Sequence, residues 1–207
     1  MKKVTIGYQV WMTENLNVDK FQNGDLITEA KTEADWTEAN ENEQAAWCYY
    51  ENEPANGPKY GKLYNWFAVN DPRGLAPKGW HISDDEEWNI METFLGENDG
   101  EVVSSSQFGD LLRNLDDLLK ELNLYEENDP RFSLLPYTGK RDLFGNFENE
   151  GCESYFWTAS EEGEGGGQML AGDKDYARYR KFDEEECLQK GKIIKKSGLS
   201  VRCIKNS

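Results

Sequence analysis

The sequence predicts a single α+β domain over residues 1–207, in which helices pack against antiparallel β-sheets. Two observations lead to this prediction. Apolar residues recur at helical spacing in the first half of the chain, whereas short β-branched and aromatic stretches separated by turns dominate from Phe132 onward. Strands that follow the helices, instead of alternating with them, are typical of an α+β fold. A chain of this length buries roughly 70% of its unfolded surface, which is enough for one core.

The first predicted elements are a strand, a short helix and a second strand. Residues 4–12 predict an opening strand or hairpin because they are β-branched and aromatic. Residues 30–39 predict a short helix with Thr32 as its N-cap and Trp36 as its one large anchor. Residues 46–50 predict a short apolar strand or a buried loop.

Two amphipathic helices are predicted between residues 59 and 95. The first has an apolar stripe at helical spacing, formed by Tyr60, Leu63, Tyr64, Phe67 and Ala68. Pro72 and Gly74 end this helix, because proline is unfavourable in a helix and glycine tolerates positive φ. The second helix is predicted to begin with a capping box of Asp84 and Glu87. Its predicted buried stripe consists of Trp88, Met91, Phe94 and Leu95.

The second half of the chain predicts one more helix and then strands. Leucine periodicity predicts a third helix over residues 108–122, within an insertion at about 104–123. The predicted strands that follow it include residues 155–160, 176–182, 192–196 and 198–204. The last two are predicted to pair as a hairpin, with Cys203 turned into the core.

The charge is large, negative and unevenly distributed. The chain carries 23 Lys and Arg against 40 Asp and Glu, a formal charge of −17. From residue 174 onward there are ten basic and five acidic residues, whereas residues 1–173 carry thirteen and thirty-five. An acidic body repels nucleic acid, so we expect no nucleic-acid partner, with a DNA mimic as the minor alternative. No apolar run is long enough to span a bilayer, so we expect no direct membrane insertion.

Motifs of the common enzyme classes are absent from the sequence. His81 is the only histidine, and its position between Trp80 and a helix cap favours a structural role over a catalytic one. The four cysteines form no CxxC pattern, which argues against zinc. Carboxylate clusters at 161–164, 173–175 and 183–186 are capable of binding calcium, but solvated loops are the simpler interpretation, so we expect no cofactor.

The candidate ligand-binding surface lies on the strand at residues 176–182 and just before it. Alternation places Tyr176, Arg178 and Arg180 on one face of this strand, which we expect to be exposed. It places Tyr179 and Lys181 on the other face. Tyr and Arg contribute most to interface energies. The predicted site consists of Asp173, Asp175, Tyr176, Arg178 and Arg180. An ordinary charged sheet face is the alternative.

Seven motifs, in order along the chain, resemble those of a known family. They are IGYQVWMTENLN at 6–17, AWCY at 46–49, YGKLYNW at 60–66, GWHI at 79–82, FSLLP at 132–136, YFWTAS at 155–160 and GLSVRC at 198–203. This pattern resembles the Fibrobacter succinogenes major paralogous domain, a module abundant in Fibrobacter and Bacteroidetes proteins. The predicted helix at 108–122 departs from the shorter, glycine-rich connection of the family.

The resemblance implies a C-type-lectin-like fold, with two to three helices packed on antiparallel β-sheets and a loop-rich face. That fold is shared with retroelement-diversified binding proteins and with formylglycine-generating enzymes. In the resembled fold, the elements that carry Cys48 and Cys203 pack together, so a disulfide between these two residues is the hypothesis, with buried free thiols as the alternative. The family has no settled activity that would transfer to this chain.

We therefore expect a non-catalytic recognition module that binds a protein or a glycan through loops at 139–153 and 161–195 and through the C-terminal sheet. The alternatives are an oxidase of the formylglycine-generating type, which needs a reactive cysteine pair, and a purely structural spacer domain. No hydrophobic signal segment follows Met1, so the chain is either cytosolic or phage-borne, or has lost a leader. The resemblance favours an extracellular or cell-surface location, or a phage-derived assembly.

Overall fold

The computed structural model of the protein describes residues 2–96, 138–161, 175–183 and 188–206. The predicted helix at 108–122 and the insertion around it lie outside these ranges. The described helices are α1 (Glu33–Glu41), α2 (Gly57–Tyr60), α3 (Trp66–Val69) and α4 (Asp85–Gly96). Single 3₁₀ turns occur at Tyr50–Asn52 and Pro54–Asn56.

The described strands form three sheets. The strands are β1 (Lys3–Ile6), β2 (Gln9–Met12), β3 (Thr28–Glu29), β4 (Ala46–Cys48), β5 (Leu63–Tyr64), β6 (Trp80–Ile82), β7 (Thr138–Arg141), β8 (Phe147–Glu150), β9 (Glu153–Glu161), β10 (Tyr176–Asp183), β11 (Leu188–Ile194), β12 (Ser200–Val201) and β13 (Cys203–Lys205). Their orders are β1-β2-β13-β6, β3-β4-β5 and β11-β10-β9-β7-β8, with β12 added on β9. The last of these is called the C-terminal sheet below. The fold is α+β, as predicted.

Local signals in the first third of the chain are confirmed. β1 and β2 form the predicted hairpin, and Gly7 occupies its turn with φ +61°. Thr32 caps α1, and Asp35 completes a capping box that the sequence analysis did not include. Trp36 is fully buried on the inner side of this helix.

The predicted helix with a stripe from Tyr60 to Ala68 is wrong, because this segment contains two short helices separated by a strand. Gly61 follows α2 with φ +73° and ψ −152°, a conformation that ends the helix and that only glycine adopts easily. The next residues form β5, which pairs with β4 through Tyr64 and Trp47. Asn65 then caps α3 by accepting a hydrogen bond from the Ala68 amide.

The second predicted helix, α4, forms as expected at its start. Glu87 donates its amide to Asp84 Oδ1 at 2.7 Å, and Asp84 donates its amide to Glu87 Oε2 at 3.0 Å. Trp88 and Met91 are buried, as predicted. Phe94 was predicted to be buried but is 52% exposed, because it lies against the turn at Gly7, which covers only one side of its ring.

The predicted hairpin of residues 192–196 with 198–204 is also wrong. β11 pairs with β10 instead, β12 pairs with β9 in parallel, and β13 lies between β2 and β6. The physical reason is burial on both faces. Leu199, Val201 and Cys203 are fully buried on one side, and Arg202 is 3% exposed on the other. A segment buried on both sides fits between sheets and not in an edge hairpin, and Cys203 points into the core as predicted.

Two of the core clusters in the described part of the chain meet at β4 and β5. The larger contains Trp47, Tyr64, Trp66, Trp157 and Val201, and the smaller contains Trp36, Ala46, Cys48, Tyr60 and Leu63. Tryptophan and tyrosine rings therefore provide much of the buried area, which explains how a chain with so many charged residues folds. Among the described residues, no helix has both the length and the apolar character that crossing a membrane requires.

Candidate functional site

The structure separates the residues of the predicted binding surface. Tyr176 is 38% exposed, Asp175 is exposed and Arg178 is half-buried, whereas Arg180 is only 1% exposed. Asp173 lies outside the described residues. The prediction that both arginines lie on an open face is therefore wrong for Arg180, because α4 packs on that face of the C-terminal sheet.

Arg180 is the centre of an ionic network between β10 and α4. Its guanidinium donates to Glu92 Oε1 at 2.9 Å, to Asn89 Oδ1 at 3.1 Å and to both a carboxylate oxygen and the carbonyl of Asp85. Lys190 of β11 bonds Glu92 and Asn89 at 2.5 Å and 2.6 Å, and Arg178 pairs with Asp85 at 3.3 Å. These groups are used in holding the helix to the sheet, so they form a structural contact and not a free binding surface.

The opposite face of the same sheet carries a second polar cluster. Lys181 Nζ donates to Glu153 Oε1 at 2.7 Å, and the Tyr155 hydroxyl donates to Glu153 Oε2. The Asn149 side-chain amide donates to Glu153 Oε2 at 2.5 Å and to the Tyr155 hydroxyl at 3.2 Å. Tyr179 lies beside Tyr155, with a ring-centroid distance of 5.8 Å. We call Asn149, Glu153, Tyr155, Tyr179 and Lys181 the Tyr179 face.

The backbone places these side chains on one side of the sheet. Lys181 of β10 is the cross-strand partner of Tyr155 on β9, and Glu153 precedes Tyr155 by two residues, so all three project from the same face. Asn149 lies at the end of β8 with φ +66°, a left-handed conformation that asparagine tolerates better than most residues. The tight turn it begins, closed by the bond from the Cys152 amide to the Asn149 carbonyl at 3.3 Å, brings its amide to Glu153.

The ionisation states on the Tyr179 face are set by its own contacts. Burial opposes the charge on Glu153, but the hydrogen bonds from Lys181 and Tyr155 outweigh burial and lower the pKa of Glu153. Burial, reinforced by the Glu153 carboxylate, raises the pKa of Tyr155. Near neutral pH the face therefore presents a carboxylate, a neutral phenol and an ammonium group within hydrogen-bond distance of one another.

Ion pairs continue along the neighbouring strands. Lys140 of β7 pairs with Glu148 of β8 at 3.1 Å, and its Nζ lies 5.4 Å from the centroid of the Tyr155 ring. Both residues of this pair are partly exposed, as are Glu153 and Lys181. The partly exposed residues of this sheet face thus include ion pairs of both signs.

The expected disulfide between Cys48 and Cys203 does not occur. Both residues are buried free thiols, and they belong to different core clusters. Burial raises the pKa of Cys48 to about 11 and that of Cys203 to about 12. Cys152 is exposed in the turn between β8 and β9, and Cys187 lies outside the described residues.

His81 is held between two oxygen atoms. Its Nε2 lies 2.7 Å from Glu87 Oε1 and its Nδ1 lies 2.7 Å from Asn206 Oδ1. Burial lowers the pKa of His81, but the acceptors on Asn206 and Glu87 outweigh burial, so the pKa is raised. Both ring nitrogens are engaged in joining β6, the cap of α4 and the end of the chain, which is consistent with the structural role expected for this residue.

No cluster of three or more potential metal ligands occurs among the residues that the structure describes. Glu161, the one residue of the cluster at 161–164 inside the described ranges, accepts hydrogen bonds at 3.1 to 3.3 Å from Trp66, Asn70 and Lys195. One oxygen of its carboxylate, Oε1, is thus occupied by protein donors. The expectation of no cofactor, with calcium binding by the acidic clusters as the alternative, stays a prediction.

The family model of the Fibrobacter succinogenes major domain matches residues 4–205. The chain belongs to the Fibrobacter succinogenes major domain family. This confirms the resemblance seen in the sequence. Neither a curated protein nor a solved structure matches the chain.

The motifs that relate this chain to the Fibrobacter succinogenes major domain are mostly core residues. Those with at most 6% exposure include Trp11, Trp47, Tyr64, Trp66, Trp157, Val201 and Cys203. Glu153, Tyr179 and Lys181 lie outside the seven motifs. Membership of the family therefore accounts for the packing of the core and leaves the ligand to be inferred from the surface.

Sequence reasoning did not single out the Tyr179 face, because it assigned Tyr179 and Lys181 to the inner side of β10. One pattern in the sequence indicates instead that the arginines of β10 face α4. Asp85, Asn89 and Glu92 recur at i, i+4 and i+7 on α4, a stripe of oxygen acceptors on one side of the helix. The arginines of β10 are suited to pair with such a stripe.

Proposed function

We propose that this member of the Fibrobacter succinogenes major domain family is a non-catalytic recognition module with a C-type-lectin-like fold. It binds a protein or glycan ligand on the Tyr179 face, at a bacterial surface or within an exported or phage-derived assembly. The observation that carries the proposal is the hydrogen-bonded set of Asn149, Glu153, Tyr155 and Lys181 on the side of the C-terminal sheet opposite α4.

Preorganisation supports a binding role for this cluster. Each of its polar groups is held by another member of the cluster, so a ligand that bonds to them orders few additional side chains. Glu153, Lys181 and Tyr179 are partly exposed, which leaves them accessible. Tyr155 is 6% exposed and anchors the set to the core.

The alternative of an oxidase of the formylglycine-generating type finds less support. Such an enzyme needs reactive thiols, and thiolates form readily in electropositive, partly exposed surroundings. Cys48 and Cys203 are buried, and burial raises the pKa of each to about 11 and about 12 respectively. Cys152 lies in an exposed turn, and both ring nitrogens of His81 are engaged with other residues.

A binding screen with matched variants tests the proposed function. The chain is presented to arrays of glycans and of bacterial surface proteins, with calcium and with a chelator. Lys181→Met removes the ammonium group that bonds Glu153. Lys31→Met is the control, because Lys31 does not belong to the Tyr179 face and its ammonium group pairs with Glu29 at a distance of 3.3 Å. We expect the screen to find a ligand that the wild type and Lys31→Met bind equally well. Lys181→Met should bind the same ligand at least about fivefold more weakly. Equal binding by both variants, or no ligand in either condition, would contradict the proposal.

A further inference from the structure

The ring of Tyr179 lies on the backbone of the neighbouring strand. Tyr179 of β10 is the cross-strand partner of Gly191 on β11, an outer strand of the C-terminal sheet. A Cβ atom added to Gly191 would lie 2.8 Å from Tyr179 Cε1 and 2.9 Å from its hydroxyl oxygen. Since ordinary Cβ contacts are longer, the ring occupies space that any other residue at position 191 would fill. It therefore lies against β11, at the edge of the polar cluster.

The hydroxyl of Tyr179 remains available for a ligand. Within the described part of the chain it makes no hydrogen bond, and the residue is half-buried. The ring also packs against the larger core cluster and lies beside the Tyr155 ring, so only part of this half-buried residue is accessible. The carboxylate of Glu153 and the ammonium group of Lys181 lie on the same sheet face.

Charge indicates the class of ligand. Two ion pairs lie on this sheet face, Lys181 with Glu153 at 2.7 Å and Lys140 with Glu148 at 3.1 Å, so neither cation is left to hold an anionic ligand alone. The whole chain carries a formal charge of −17, which repels anions at long range. A face whose described cations are already paired, on a strongly acidic protein, fits a neutral ligand better than an anionic one.

Apart from the half-buried Tyr179, the described residues of this face include no exposed large apolar side chain, which argues against a protein ligand there. Protein interfaces are centred on large apolar or aromatic side chains that enter pockets. The exposed large hydrophobic residues of the described chain are Tyr8, Leu26, Phe94, Phe144 and Tyr176. None of them belongs to the Tyr179 face: Tyr176 projects from the opposite side of β10, and Phe144 lies in the β7–β8 turn, at the other end of β8 from Asn149.

We propose that the Tyr179 face binds a neutral glycan, an inference that rests on the proposed recognition function and narrows it. A sugar ring carries C–H groups on its faces and hydroxyl groups around its rim. The C–H face stacks on the exposed side of Tyr179, and the hydroxyl groups bond to Glu153, Lys181 and Asn149. Hydroxyl groups both donate and accept, so they fit a cluster that presents a carboxylate acceptor beside ammonium and amide donors.

The test measures binding of the wild type and three variants to immobilised cellohexaose, xylohexaose, mannohexaose and laminarihexaose, with oligogalacturonate and a random peptide array in parallel. Tyr179→Ala removes the stacking surface, and we expect its affinity for the neutral oligosaccharides to fall about tenfold. Gly191→Ala keeps the tyrosine but displaces its ring, and we expect a loss of about threefold to tenfold. Tyr8→Ala is the matched control, because Tyr8 is an exposed tyrosine at the β1–β2 turn, and its binding should equal that of the wild type.

The outcomes separate this inference from the proposed function. Binding of neutral oligosaccharides that Tyr179→Ala and Gly191→Ala both weaken supports both proposals. Binding only to oligogalacturonate or to peptides, lost in Tyr179→Ala, overturns the neutral-glycan inference and leaves the recognition function standing. Neutral-glycan binding that neither variant changes overturns the inference as well. Binding to no probe at all overturns both, provided that circular dichroism shows each variant folded.

Discussion

The guanidinium of Arg180 donates a hydrogen bond to Glu92 Oε1 at 2.9 Å across the contact between β10 and α4. With Asp85 and Asn89 accepting from the same guanidinium, this buried cation fixes the helix to one face of the C-terminal sheet. The contact covers this face of the C-terminal sheet. The residues that looked most like a binding site in the sequence are, for this reason, part of the scaffold.

Removal of Arg180 should destabilise the protein. Arg180→Met keeps much of the side-chain volume but leaves Asp85 and Glu92 without their shared cation, so we expect the free energy of unfolding to fall by about 3 kcal/mol. Arg73→Met is the control, because Arg73 is 40% exposed and pairs with Asp71 at the surface, and its cost should stay below about 1 kcal/mol. Urea unfolding followed by tryptophan fluorescence measures both. Adding Glu92→Gln to Arg180→Met should restore part of the lost free energy of unfolding. An equal decrease in the free energy of unfolding for Arg180→Met and Arg73→Met would contradict this account.

The elements that the sequence predicted correctly are those specified by neighbouring residues. The cap of α1 by Thr32 and the capping box of Asp84 and Glu87 each depend on side chains three residues apart. The β1–β2 hairpin depends on Gly7 between two apolar stretches. Such patterns involve residues a few positions apart in the sequence, so they predict the element without knowledge of the tertiary fold.

The site depends on distant pairings and was therefore not predicted. Alternation shows that Arg178 and Arg180 share a face of β10, but only the position of α4, some 90 residues earlier in the sequence, shows that this face is covered. The place of Tyr179 likewise depends on the register that sets it opposite Gly191. Neither relationship leaves a pattern within the strand itself.

Asn65 explains why the chain does not form the helix predicted across residues 60–68, and its removal should be costly. The side chain is fully buried and makes four hydrogen bonds: its Oδ1 accepts from the amides of Ala46 and Ala68, and its Nδ2 donates to Asn40 Oδ1 and the Gln44 carbonyl. Asn65→Ala leaves these buried partners unpaired, so we expect a loss of about 2–4 kcal/mol in the free energy of unfolding.

The control for Asn65 is Asn70→Ala, because Asn70 is exposed and makes one side-chain hydrogen bond, to Glu161 at 3.1 Å. Its expected cost is below about 1 kcal/mol. Thermal and urea unfolding of the two variants measure the difference. If Asn65→Ala proves as stable as Asn70→Ala, the hydrogen bonds at Asn65 do not define this segment.

The cysteines should differ in their reactivity in the native protein. Because burial raises the pKa of Cys48 to about 11 and that of Cys203 to about 12, neither forms a thiolate at pH 8 and neither is accessible. We expect Ellman's reagent to modify Cys152 in the native state and to reach Cys48 and Cys203 only after unfolding in urea. Peptide mapping identifies the labelled residues, and Cys152→Ser is the control. Rapid native labelling of Cys48 or Cys203, or a crosslinked peptide containing both, would contradict the structure.

The stability of the protein should depend on the ionisation of His81. Its pKa is raised in the folded state, so the charged ring stabilises the fold fully below its unfolded pKa of about 6.5, and this contribution is lost as pH rises through the folded pKa. The side chain is 43% exposed, and solvent screening therefore limits the effect to less than about 1 kcal/mol. We expect the difference in free energy of unfolding between the wild type and His81→Gln to shrink from pH 5.5 to pH 8.5. As His81 is the only histidine, its NMR titration gives the folded pKa directly. A folded pKa at or below that of an unfolded histidine would show that Glu87 and Asn206 do not stabilise the charged ring.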